Sequence, residues 1–218
     1  MKISLFDIAG NVISNSEVSR LIVQKLEEKY NEKFLVKMIG NRYGMGTFNE
    51  ATAYCCPANC EKMIFTVTFD MVKEVLLSDD FFIKTTCYEL EKNILNEFQK
   101  KKIDAFSKVE IFGKNTLDKI YSVQEFTDKY YQNNFLAIIV VKDDISEKKL
   151  NDIFSNIKNK FNNIYLKTLI YIMENSDFDK CHKLSETVPN LTTSFIEHYS
   201  IKYMNVVKVY KDEIIKIK

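Results

Sequence analysis

The chain has no tryptophan, and only two histidines, two prolines and five glycines in 218 residues. Each shortage narrows what the protein can do. His182 and His198 are the whole imidazole supply, and neither a His-Glu-x-x-His motif nor a Gly-x-Ser-x-Gly nucleophile elbow occurs. No glycine-rich segment ends in the Gly-Lys-Ser/Thr of a phosphate loop. Only Arg20 and Arg42 are arginines among 31 basic residues. Arginine is the usual fork for phosphate or guanine, so a sequence-reading nucleic-acid binder is disfavoured. The net charge of +1 gives no overall field toward nucleic acid or acidic lipid. No window approaches the 18 or so uninterrupted apolar residues of a membrane-spanning helix. The first residues, MKISLFDIAGNVISNSE, are broken by Asp7 and carry no signal-peptide pattern, so a cytoplasmic protein without membrane partner is expected.

Other residue types are plentiful. Sixteen Phe and twelve Tyr supply the bulk for a sizeable core, and 46% hydrophobic with 28% charged residues is an ordinary globular balance. The excess of Lys, Asn and Ile fits an AT-rich bacterial genome.

Periodicity divides the chain into two rhythms. Val18, Leu21, Ile22, Leu26 and Tyr30 form one apolar stripe at helical spacing, with Ser14, Asn15 or Ser16 available as cap. Residues 34–43, 47–56 and 62–70 read as three successive strands, an antiparallel meander. A long helix is expected to open at 77–80 and run to about 102, with Ile83, Cys87, Leu90, Ile94 and Phe98 on its buried side and Glu89, Glu91, Lys92 and Glu97 outside it. Residues 1–105 therefore read as an α-β-β-β-α unit. Beyond it, 108–113 is a short strand, and Ser122 with Glu125 has the spacing of a capping box. The all-apolar FLAIIVV at 135–141 predicts a central strand, 146–161 the clearest helix, and 164–173 another strand. That order predicts a parallel β-α-β crossover. TTSFIEHYSIKY reads as a helix, and the last residues as two short strands around Lys211-Asp212. The expected fold class is α+β, with a 1–105 unit followed by a 106–218 α/β unit, either separate or sharing one sheet.

The segment NRYGMGTFNEATAYCCPANCEKMIFTVTF, residues 41–69, concentrates three of the five cysteines. Zinc needs a second closely spaced Cys or His pair, and none is present; Cys87 and Cys181-His182 stand far away in the chain. Cys55 and Cys56 would point to opposite faces of a strand, and no Cys-x-x-Cys redox motif exists. The segment reads instead as a hairpin: a strand to Cys56, a turn through Pro57-Ala58-Asn59, and a return strand. A Cys–His pair using Cys60 or Cys181 with His198 remains an alternative. Gly40, Gly44 and Gly46 sit between strands, where a turn explains them. The acidic pairs Asp79-Asp80, Asp143-Asp144 and Asp177/Asp179 fall where helices start, which complements the dipole. Tyr121, Tyr130, Tyr131, Tyr165 and Tyr171 could edge a core or a binding surface.

LEEKYNEKFLV, followed by strands, a Cys-Pro turn and another alternating strand, resembles small uncharacterised proteins of low-GC Gram-positive bacteria. The resemblance covers roughly the first 100 residues and implies no activity. The function that follows is a non-enzymatic protein-binding module, such as an immunity or accessory protein, with Arg42, Tyr43, Tyr54 and Cys60 as contact candidates. The alternative is a small cysteine-dependent enzyme or thiol sensor using Cys55, Cys56 or Cys60. No cofactor, metal or nucleic acid is expected.

Overall fold

The computed structural model describes residues 4–6, 12–40, 50–112, 117–130, 135–142, 144–199, 201–210 and 214–217. The chain divides into two compact units, Met1–Phe81 with Thr187–Pro189, and Phe82–Glu186 with Asn190–Lys218.

The first unit begins with a hairpin of β1 (Ser4–Phe6) and β2 (Val12–Ser14). Helix α1 (Asn15–Tyr30) follows directly, capped by Ser14 Oγ, which accepts the Glu17 N–H at 3.2 Å. It stops at Asn31, whose φ of 54° lets its N–H close on the Glu27 carbonyl. The apolar stripe of α1 is buried at Val18, Leu21, Ile22 and Leu26, as its spacing requires. Four antiparallel strands then form a meander, β3 (Phe34–Ile39), β4 (Glu50–Pro57), β5 (Phe65–Asp70) and β6 (Val75–Asp79). One face carries Phe34, Ala53, Cys55, Phe65, Val67 and Phe69, all buried.

The sequence predicts three strands here, and the fourth has a local cause. Asp70 Oδ1 accepts the N–H groups of Val72 and Lys73, each at 3.0 Å, and Glu74 takes a left-handed φ of 54°. This turn sends Val75-Leu76-Leu77 back along β5. Pairing continues to Asp80, which donates its N–H to the Thr66 carbonyl and accepts the Thr66 N–H on its side chain. The helix expected from residue 77 therefore starts only at Phe81.

The second unit holds α2 (Phe81–Lys100), β7 (Ala105–Ile111), α3 (Val123–Lys129), β8 (Phe135–Val141), α4 (Glu147–Lys160), β9 (Leu166–Met173), α5 (Asn175–Ser185), α6 (Thr193–Ile196), β10 (Ile201–Val209) and β11 (Ile214–Ile217). Its sheet runs β11-β10-β9-β8-β7. β8 and β9 are parallel across α4, and the other pairs are antiparallel. The capping box is present: Ser122 and Glu125 each bond the other's backbone. One side of the sheet buries Val109, Ala137, Ile139 and Ile170 against Leu90 and Phe98 of α2, Phe126 of α3 and Phe154 of α4. The other side buries Phe106, Ile138, Val140 and Tyr171 against Phe178 and Cys181 of α5, with Leu191 and Ile196.

The buried stripe of α2 is the one its spacing predicts, but its partners belong to the second sheet, so the compact division falls at Phe81/Phe82. A helical stripe says that a face is buried, not what buries it. Residues 175–185 form a helix of which the sequence marks only a start near Asp177, whereas TTSFIEHYSIKY is helical among the described residues only at Thr193–Ile196. From Ile201 the chain pairs with β9 along almost its whole length, and this non-local ladder overrides local propensity. Lys211-Asp212 lies outside the described residues.

Thr168 Oγ1 is fully buried on the helix-covered side of this sheet, opposite Ala137 and Val207, with no hydrogen-bond partner among the described residues. Valine has the same shape without the unsatisfied hydroxyl. Thr168→Val should raise the unfolding free energy by about 1 kcal/mol in urea denaturation. Lower stability would show that the hydroxyl is satisfied.

Candidate functional site

The thiol-rich segment forms a hairpin tip. β4 ends at Pro57, Ala58 and Asn59 turn, and Cys60 donates its N–H to the Pro57 carbonyl at 3.0 Å. Cys60 in turn accepts the Met63 N–H, which brings the chain back to β5. All five cysteines are free. Cys55 pairs with Phe65 on the buried face of the sheet, and Cys56 pairs with Leu35 on the other, yet neither is solvent-exposed. Burial pushes both thiols up from their ordinary value; at Cys55, the charges of Cys56, Asp79 and Asp80 add to it. Near Cys56 the Lys37 ammonium, paired with Glu61, opposes the rise. A thiol held protonated is a poor nucleophile and a poor metal ligand. Cys60 is the one partly exposed thiol of the tip.

The face opposite Phe65 is partly open: Thr52 and Ser78 are exposed, Tyr54, Thr66 and Thr68 are half-buried, and Cys56 is buried. Residues paired across antiparallel strands point the same way, so Met38, Tyr54 and Thr66 form one row and Thr52, Thr68 and Ser78 the next. Leu35 and Met38 of β3 are 40% and 44% exposed, and Val75 at the far margin is exposed as well. Tyr54 stands half-buried between them. The surface is thus a strip of threonine hydroxyls and one phenol with aliphatic groups at both margins.

In the second unit the imidazoles are committed to local contacts. His182 stacks on Phe106 with ring centroids 4.9 Å apart, and its Nε2 lies 4.0 Å from Glu186. His198 Nδ1 meets the Ser194 carbonyl at 2.6 Å. Neither imidazole is hydrogen-bonded to a thiol among the described residues. Cys181 is buried, which with the Asp177 charge pushes its thiol up to about 12. Among the described residues no three His, Cys, Asp or Glu side chains are grouped to hold a metal ion, and no helix is long and apolar enough to cross a membrane.

No protein-family model and no curated protein matches the sequence. The chain is similar in structure to a DUF5037 family protein from Ruminococcus gnavus ATCC 29149. The TM-score is 0.71 at 14% identity, covering 91% of this chain and 94% of that one. At that identity the likeness shows a shared fold across almost the full length of both chains.

Of the contact candidates read from sequence, the structure places Tyr54 at the centre of the open face and Cys60 in the hairpin tip. Arg42 and Tyr43 lie outside the described residues, as do Gly44, Gly46, Tyr131 and Asp143. Of the acidic residues expected at helix starts, Asp79 Oδ1 accepts the Phe81 N–H at the head of α2, and Asp177 lies in the first turn of α5. Sequence reasoning missed Leu35 and Met38, whose exposure follows from the register of β3. A break in that register between Val36 and Met38 puts Met38 beside Tyr54. Two consecutive apolar positions in an alternating strand were the available signal.

Proposed function

We propose that the protein acts by binding another protein, without catalysis, in the manner of an immunity or accessory factor, and that the open face of β3–β6 is its contact surface. The observation that carries this reading is the solvent-facing row of Met38, Tyr54 and Thr66 beside exposed Leu35. An aromatic anchor ringed by aliphatic and hydroxyl groups has the composition of an interface centre. The state of the thiols favours binding over chemistry. Cys55 and Cys56 are buried with raised pKa, so a cysteine-dependent enzyme or sensor built on the hairpin tip would rest on Cys60. Five free thiols also suit a reducing compartment.

The test compares the wild-type chain with Met38→Asp/Tyr54→Asp as baits in a lysate of a low-GC Gram-positive bacterium. A stoichiometric partner held by the wild type and lost by the variant is expected. Recovery of no stoichiometric partner, or equal recovery by both baits, overturns the reading.

A further inference from the structure

Among the described residues, no helix packs over one end of the second sheet's outer side. Helices α5 and α6 close its outer side over Phe106, Ile138, Val140 and Tyr171. Toward the other end of the same strands lies a cleft of about 280 Å³, lined by Phe112, Leu136, Lys167, Lys208 and Tyr210 among others. Lys167 of β9 and Lys208 of β10 are direct cross-strand partners. Like charges set opposite one another on neighbouring strands repel and weaken the sheet. The natural remedy is a carboxylate beside them, and among the described residues neither lysine has an ion pair or hydrogen bond. The acid nearest in the same row is Glu110, paired with Leu136 on β8, whereas Lys167 lies one strand beyond Leu136. At ordinary strand spacing that places the Glu110 and Lys167 backbones about 10 Å apart.

The rest of the cleft is apolar and aromatic. Phe112 is 67% exposed, the highest value among the large hydrophobic side chains of the described residues. Tyr210 is held by an edge-to-face contact with Tyr165, ring centroids 5.7 Å apart. Lys167 and Lys208, unneutralised among the described residues, therefore line a hollow whose walls suit a flat apolar body.

We propose that this cleft binds a small organic anion, an aromatic body carrying one compact anionic group that lies between the Lys167 and Lys208 ammoniums. The anion removes the repulsion of the lysine pair, and the aromatic body covers Leu136 and the Phe112 ring. This site belongs to the second unit and is independent of the protein-binding face of the first.

Anilinonaphthalene sulfonate is a suitable probe, because it joins an aromatic body to one anionic group and reports binding by fluorescence. Phenylnaphthylamine, which has the same body without the charge, is its control. Full-length wild-type protein is expected to bind the sulfonate dye at one saturable site. In Lys167→Gln/Lys208→Gln its affinity should fall about tenfold while that of the neutral dye is unchanged. The variant should melt no lower than the wild type, since it loses a repulsive pair. The wild type gives a separate readout: raising NaCl from about 0.05 M to about 0.5 M should weaken the sulfonate dye several-fold and leave the neutral dye alone. Equal sulfonate affinity in wild type and variant overturns the proposal. So does sulfonate binding that is insensitive to salt.

Discussion

Asp79→Ala should lower the stability of the first unit by about 3 kcal/mol, the loss of charge-assisted hydrogen bonds at a buried carboxylate. The Asp79 side chain is 2% exposed. It accepts the Tyr30 hydroxyl at 2.6 Å, the Lys29 ammonium at 2.8 Å and the Phe81 N–H at 3.2 Å. These bonds join the last turn of α1 to the end of β6 and the start of α2. Burial, followed by the bond to Asp79, raises the Tyr30 pKa far above its ordinary value, so the phenol stays a donor. The Tyr30 ring also packs on Phe34 and Phe81, and both touch Phe65. Alanine removes this carboxylate acceptor from the Tyr30 phenol and the Phe81 amide. Asparagine keeps an acceptor in a side chain of the same shape, so Asp79→Asn should lose less, about 1 kcal/mol. Urea denaturation followed by circular dichroism measures both. An Ala variant as stable as the Asn variant would show that the carboxylate does not hold these three elements together.

Glu91 should make the second unit lose stability as pH rises from about 4.5 to about 7, opposite to the usual effect of a paired carboxylate. It sits on α2 and is almost wholly buried, which lifts its pKa from the ordinary 4.5 to about 7. The charges of Lys108 on β7 and Lys84 on α2, and the Val109 N–H, pull the other way without winning. Below about pH 4.5 the group is protonated in both the folded and unfolded chain. Between that value and about 7, only the unfolded chain loses the proton, and unfolding gains accordingly. The contribution is thus full below the unfolded pKa and gone above the folded one. A shift of this size corresponds to about 3 kcal/mol. The unfolding free energy of Glu91→Gln relative to wild type should rise by that amount from about pH 4 to about pH 8. A flat difference across the range would place the Glu91 carboxyl in contact with water.

Local signals in the sequence were sufficient for elements that depend on their own residues. The α1 stripe, the Ser122/Glu125 capping box and the all-apolar central β8 all needed only spacing and residue type. What failed were questions of partnership. Val75-Leu76-Leu77 is too short a run to announce a strand, and becomes one only because β5 lies alongside. TTSFIEHYSIKY carries helical residue types, but β9 offers Ile201 onward a full ladder. Glu91 and Glu97 fall off the apolar stripe of α2 and are nevertheless buried. The same limit applies to the sites. Tyr54 belongs to a strand the sequence predicts, but the face it takes follows only from the pairing of β4 with β3 and β5. The Lys167–Lys208 pair arises from the register of two strands, and no reading of either strand alone contains it.

The position of Glu91 has one more consequence. β7 is the last strand of its sheet, and the Val109 N–H is met by a carboxyl from α2 rather than by another strand. A foreign chain seeking to add itself there must first dislodge that side chain from a largely anhydrous pocket. At that one position the border of the described sheet resists the addition of a further strand.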